Sequence, residues 1–278
     1  MMGHMVRLTR EVRFGIDLAA GATADRDVAD GGNGFAGRPT LTGFGAFLLL
    51  RVTVEGEPDP QSGYLLNIKE IDDVVRKRAV PAFREAVLHD RSTSPERLVF
   101  QCAAELRESW SPVRLRALEL CLTPFLSFTW TVSEPDMIRL SQKFEFSAAH
   151  RLHNPSFSHE ENLATFGKCN NPHGHGHNYE LQVTVAGIPD AKTGRLIAVD
   201  ELERLVDEHV IGVFDHKHLN LEVPEFLTLN PSVENIAKVI YERLAPALNR
   251  TPSKLEKVIV WETPKTWAEY GEGMRAEG

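Results

Sequence analysis

The 278-residue chain has only three cysteines, Cys102, Cys121 and Cys169, too few and too scattered for a disulfide framework. A reducing, cytoplasmic location is the expectation, with Cys102 and Cys121 as core thiols because both lie in apolar-periodic segments. No run approaches the ~20 apolar residues that a helical membrane span requires. The opening, "MMGHMVRLTREVRF", lacks the apolar core of a signal peptide. No lysine- or arginine-rich stripe is present and the net charge is −8, so nucleic acid is not an expected partner. What remains, with 42% apolar and 25% charged residues, is a globular composition long enough for two domains.

Histidine is scarce in most of the chain and dense in one part of it. Nine of the eleven histidines fall between His150 and His218. The stretch "KCNNPHGHGHNY", from Lys168 to Tyr179, holds a cysteine and three alternating histidines.

A weak internal repeat runs at an offset of 131 residues. "GYLLNIKEIDDVV" from Gly63 meets "GRLIAVDELERLV" from Gly194, "RVTVEG" (51–56) meets "QVTVAG" (182–187), and "AVPAFREA" (79–86) meets "VIGVFDHK" (210–217). Three matches in register predict a duplicated unit. In the later copy, alternation predicts a strand with Ile138, Leu140, Phe144 and Phe146 on one side, and a second with Tyr179, Leu181, Val183 and Val185. Asp200 is expected to cap a helix whose stripe is Leu202, Leu205, Val206 and His209 or Val210; Ser232 opens another, and "LEKVIVWE" (255–262) closes the unit. This order is α+β, not an alternating parallel-sheet pattern. The expected boundaries are 1–133 for the first unit, a linker near "TVSEPDM" (131–137), 137–265 for the second unit, and a tail at 266–278.

His175 and His177 are two apart at the mouth of a predicted strand, so their side chains share a face. His150, ending the preceding strand, offers a third nitrogen. Three histidines with a fourth position open is the arrangement of a catalytic zinc site. A His173/His175 register has the same spacing, but His173 lies further into the loop behind a proline. At the offset of 131, Phe44 and Ala46 stand where His175 and His177 would be, so the first unit has no such site.

Cys169 lies in a Gly/Asn/Pro-rich loop, where a nearby cation or metal would lower its pKa and fit it as general base or nucleophile. Asp215 and His216, adjacent in "DHKHLN", suit a proton relay; Arg84 and Glu85 replace them in the first unit. Glu262, near the end of "KVIVWET", is either a salt-bridge partner or an acceptor for two N–H groups of an amino-bearing ring. Leu122 stands in its place in the first unit.

"FEFSAAHRL", "FGKCNNPHGHGHNY", "FDHKHLN", "NPSVENIA" and "VIVWET" succeed one another in a way that resembles the family of 6-pyruvoyl- and 6-carboxy-tetrahydropterin synthases. The resemblance covers about residues 137–263 well and 6–124 only in pattern. It implies two tandem tunnelling-fold units, each an antiparallel four-stranded sheet with two helices on one face, assembling as a homo-oligomer in which three chains mimic a six-unit ring. The implied substrate is 7,8-dihydroneopterin triphosphate, with His150, His175 and His177 holding zinc. Cys169 would be the general base, aided by Asp215 and His216. Glu262 would anchor the pterin ring, and Ser232, standing with Val233 where many relatives have Thr-Ser, is the candidate for a further substrate contact. The leading expectation is a zinc-dependent carbon–oxygen lyase making the pyruvoyl product. The rivals are a 6-carboxy-tetrahydropterin synthase serving queuosine or deazapurine synthesis, and a non-catalytic pterin-binding or scaffold protein. The glycine-rich "DVADGGNGFAGRP" (27–39) is expected to replace the cysteine loop in the first unit.

Overall fold

The computed structural model describes residues 4–18, 43–90, 92–250 and 252–271, and the glycine-rich segment at 27–39 lies outside them. The chain divides into two compact units, Met1–Leu140 with Ile188–Leu196, and Ser141–Gly187 with Ile197–Gly278.

In the first unit, alternating apolar residues make β1 (Val6–Asp17) and β2 (Gly45–Gly56) half-buried strands. Val12, Phe14 and Ile16 face the core from β1, and Leu48, Leu50, Val52 and Val54 from β2. Helices α1 (Ile68–Arg78), α2 (Val80–Leu88) and α3 (Pro95–Leu106) follow. The first two occupy the place of one expected helix, broken at Ala79 because Pro81, in the first turn of α2, has no N–H to donate back. Strands β3 (Arg114–Thr123), β4 (Leu126–Thr131) and β5 (Glu134–His150) complete the order β1-β2-β3-β4-β5. Only Glu134–Leu140 of β5 belongs to this unit. The expected linker at 131–137 is therefore a tight turn at Val132–Ser133 followed by strand. Trp130 Nε1 donates to the Pro135 carbonyl at 2.9 Å, tying the turn together. Pro135 is tolerated beside the strand's start, where a missing N–H costs little.

The second unit takes up β5 at Ser141 and adds α4 (His159–Phe166), a 3-10 turn at Gly167–Asn170 and β6 (His175–Gly187). Then come α5 (Val199–Val206), a π-helical turn at Asp207–Ile211, α6 (Gly212–Phe214), β7 (Lys217–His218) and α7 (Leu219–Glu222). Helix α8 (Val233–Leu248), β8 (Lys254–Thr263) and β9 (Thr266–Gly271) end it. The strand order is β5-β6-β8-β9, with the two-residue β7 parallel to β5. Helix α8 packs on β8 and β9 as α3 packs on β3 and β4.

Two expectations change here, and one pair of alternatives is resolved. Residues 266–271, expected as tail, are a fourth strand, paired antiparallel with β8 from Thr263↔Thr266 to Lys257↔Gly271. Its side chains are mostly exposed, so the sequence carries no buried alternation to announce it. Helix α5 is capped by Ala198 without a side-chain bond, and Asp200 sits inside the first turn, where its charge favours the helix dipole. Of the two alternatives for the end of the stripe, Val210 is the one buried: the π turn adds one residue, so Val210 and then Phe214 follow Leu202, Leu205 and Val206 into the core.

The register of β2 on β3 shifts between Thr53 and Val54, and that of β6 on β8 between Thr184 and Val185, positions 131 apart. The extra residues are Arg116 and Glu256. Each bulge switches the buried parity of its strand, from Leu115 to Leu118 and from Leu255 to Val258. Burying each of these leucines and valines fully contributes about 1.5–3 kcal/mol, so the bulge position is enforced by the core on both sides of it. No helix among the described residues is long and apolar enough to cross a membrane.

Candidate metal centre and active site

His150 ends β5 with its side chain fully buried, and His175 and His177 open β6 on one face. Gly174 allows that approach. Its φ is +72°, and a Cβ there would stand 2.7 Å from His218 Nε2 and 3.0 Å from the His150 carbonyl oxygen. One ligand atom from each of the three histidines lies within 4.8 Å of the others. The neighbouring His173 lies in the loop before β6, its backbone N–H donating to Asn171 Oδ1.

Hydrogen bonding prepares His150 as a ligand. Nδ1 donates to the Pro231 carbonyl at 2.7 Å, which leaves Nε2 as a lone pair, 3.2 Å from His175 Nε2. Burial, outweighing that bond and helped by His175, His177 and His218, brings the His150 pKa down to about 4. Burial and His177 also lower that of His175. His150 therefore stays neutral at physiological pH, as a metal ligand must. Among the described residues, His175 Nδ1 and His177 Nε2 are buried without a hydrogen-bond partner.

These residues fit a metal ion. Two nitrogens at ~2.0–2.1 Å from a tetrahedral ion stand about 3.3 Å apart, close to the His150–His175 separation. Glu262 Oε1 lies 3.3 Å from His150 Nε2 and 3.6 Å from His177 Nε2, so a carboxylate borders the cluster.

Cys169 sits in the 3-10 turn, its carbonyl accepting from Leu152 N at 2.9 Å. Its thiol pKa is raised by burial and then by the Glu262 charge. The protein groups alone thus hold it as a thiol, and only an added positive charge would favour the thiolate. The turn is fastened by a network the sequence did not reveal. Asn170 is buried; its Oδ1 accepts from Arg151 Nη2 at 3.1 Å and pairs with His153 Nδ1 at 3.1 Å, while its carbonyl accepts from Arg151 Nε. Arg151 follows His150 directly, so ligand strand and cysteine turn are clamped together. Asn170→Leu is expected to cost about 1–3 kcal/mol, because the guanidinium loses its buried acceptor. Chemical denaturation checks this, and an unchanged midpoint would show that the clamp contributes nothing.

Asp215 and His216 pack on β5 three residues before His150. Asp215 Oδ1 accepts from Ser147 N at 2.8 Å, His216 N donates to Ser147 O at 2.6 Å, and Asp215 Oδ2 bonds His216 Nδ1 at 2.6 Å. The Ser147 bond, then His216, lowers the Asp215 pKa. His216 has φ +57°, a left-handed conformation that a β-carbon disfavours, and the Ser147 bonds hold it there. Its side chain is 83% exposed, so the oriented imidazole faces outward. Ser232 caps α8 by accepting from Asn235 N. The residue before it, Pro231, supplies the carbonyl that fixes His150.

Tyr179 and His218 also escaped the sequence reading. Tyr179 Oη is 3.4 Å from His150 Nδ1, and burial raises its pKa, so the phenol stays protonated. Its place on the apolar face of β6 disguised it. His218 could have been noticed from its spacing of two from His216. Of the other cysteines, Cys102 is buried, its pKa pushed up to about 12 by desolvation; Cys121 is only half-buried.

Residues 139–273 match the family model described as 6-pyruvoyl tetrahydropterin synthase. The chain is 41% identical over 132 residues to the human 6-pyruvoyl tetrahydrobiopterin synthase, covering 48% of this chain and 90% of that protein. It is 39% identical over 139 residues to the Drosophila melanogaster protein of the same description, covering 50% of this chain and 82% of that one. The solved structure of the Caenorhabditis elegans 6-pyruvoyl tetrahydropterin synthase aligns with a TM-score of 0.46 at 38% identity, over 49% of this chain and 95% of that chain. Through its second half, where every candidate site residue lies, the chain belongs to the 6-pyruvoyl tetrahydropterin synthase family.

Proposed function

We propose that the second unit is a zinc-dependent lyase converting 7,8-dihydroneopterin triphosphate to 6-pyruvoyl-tetrahydropterin with loss of triphosphate. The observation that carries this reading is a single constellation. The three-histidine cluster, Cys169, the Asp215–His216 pair and Glu262 all fall within residues 139–273, the stretch that matches the family model. Bound zinc would supply Lewis acidity to the hydroxyls of the substrate side chain. His150, His175 and His177 would hold it, with Pro231 and Tyr179 fixing the His150 ring. Cys169 takes the proton from the side-chain carbon, and the Asp215–His216 pair carries protons between solvent and the reacting atoms. Glu262 accepts N–H bonds from the pterin ring, and Ser232 would be a secondary substrate contact. The reaction is an internal redox elimination, so no external oxidant or reductant is needed.

The first unit reads best as a tandem copy without the metal site. In support, its bulge and its positive-φ Gly63 recur 131 residues later at Thr184/Val185 and Gly194, with φ of +73° and +69° at the two glycines. Phe44, at the position of His175, is 92% exposed and offers no ligand atom.

The test is to incubate the zinc-loaded chain with 7,8-dihydroneopterin triphosphate, follow triphosphate release and identify the product by mass. Release with the pyruvoyl product is expected. A carboxy product would move the chain to the other branch of the reaction class, and no release would leave a pterin-binding protein.

A further inference from the structure

A cleft of about 640 Å³ lies wholly within the first unit, far along the chain from the histidine cluster. Its lining includes Arg107 at the end of α3, Arg114 and Arg116 from β3, and Glu108 as the one acid. This volume is in the range of small-molecule sites. Three guanidiniums around one cleft repel one another unless acids pair them, and here acids are short. Glu55, which opposes Arg114 across the sheet, bonds Arg7 at 2.7 Å and reaches Arg116 at 3.4 Å instead. Arg107 faces the Trp130 ring at 5.9 Å, and Arg114 has no ion pair among the described residues. The chain as a whole carries a charge of −8, so a cluster of this sign is not a general property of its surface.

The bulge supplies an internal comparison. Arg116 is the extra residue that interrupts the β2–β3 register, and side chains at bulges are re-aimed. In the second unit the extra residue is Glu256, with Lys254 two positions before it. The same backbone device therefore presents a guanidinium in one unit and a carboxylate in the other. Neither the core nor the bulge requires arginine there.

We propose that this first-unit cleft binds a small oligophosphate anion, with Arg107, Arg114 and Arg116 as its phosphate donors. Guanidinium is the side chain suited to such a ligand, because its planar fork gives two parallel charge-assisted bonds to one phosphate group. The site is separate from the proposed chemistry and does not depend on it. Since triphosphate is also the proposed leaving group, the experiment must tell the two sites apart.

Inorganic triphosphate titrated calorimetrically into the full chain at fixed ionic strength is the probe. Binding is expected in the wild type and unchanged in His175→Ala. It should weaken about tenfold or more in Arg114→Ala and vanish in the Arg107→Ala/Arg114→Ala double variant. Arg114→Lys, which keeps the charge and loses the fork, should fall between. Both arginines are exposed, so an unchanged thermal midpoint is expected to certify the fold of each variant. No binding by the wild type at millimolar triphosphate, or an isotherm that the double variant leaves intact, would overturn the proposal.

Discussion

Replacing Cys169 with alanine is expected to lower kcat by about 10²–10⁴-fold while the metal stays bound, the loss typical of a missing general base. The turn that carries the residue is held by backbone and by Asn170, through the Leu152 N to Cys169 O bond and the Arg151 clamp, none of which uses the sulfur. Removing Sγ should therefore leave the loop and the three imidazoles where they are. Steady-state kinetics and metal analysis on the same sample separate the two effects. Activity close to wild type would remove Cys169 from the chemistry. Metal loss from this variant would make the thiol a ligand and the three-histidine set incomplete.

His175→Ala should do the reverse, losing the metal and with it nearly all turnover. Two histidines, His150 and His177, would remain, one short of the set that catalytic zinc sites use. The fold should survive, because His175 stands at the first residue of β6 and its Nδ1 has no partner among the described residues. Unchanged circular dichroism with a metal content near zero is the expected pair of results. Full metal occupancy in this variant would mean that the ion is held elsewhere, with Glu262 the nearest alternative at 3.3 Å from His150 Nε2.

The legible parts of this site were those written in spacing. His175 and His177 at i and i+2 announce a shared face, and Asp215 beside His216 announces a pair, because both relations are short-range. Alternation likewise disclosed β5 and β6. What stayed hidden depends on residues brought together from afar. The Pro231 carbonyl meets His150 across 81 positions, and Asn170 meets Arg151 across 19, and neither pairing has a local pattern. Strand β9 was missed because an exposed, six-residue edge strand has little burial to imprint on its sequence. The linker reading at 131–137 failed because Ser, Glu and Pro mark any sharp reversal, and a two-residue turn satisfies them as well as a domain boundary does.

The π turn between α5 and α6 has a bearing on how such a site is tuned. In a straight α-helix each residue advances the chain by 1.5 Å and turns it by about 100°, so length and angle are locked in one ratio. One surplus residue in a widened turn breaks that ratio, as an intercalated day realigns a calendar with its seasons. Phe214 can then stay in the core while Asp215, one step later, arrives opposite Ser147 on β5. Shortening the Asp207–Ile211 turn by one residue would keep the segment helical yet swing the aspartate–histidine pair through more than a quarter of a revolution. The orientation of that pair is thus set by a backbone irregularity whose last residue, Ile211, accepts from Asp215 N at 2.9 Å.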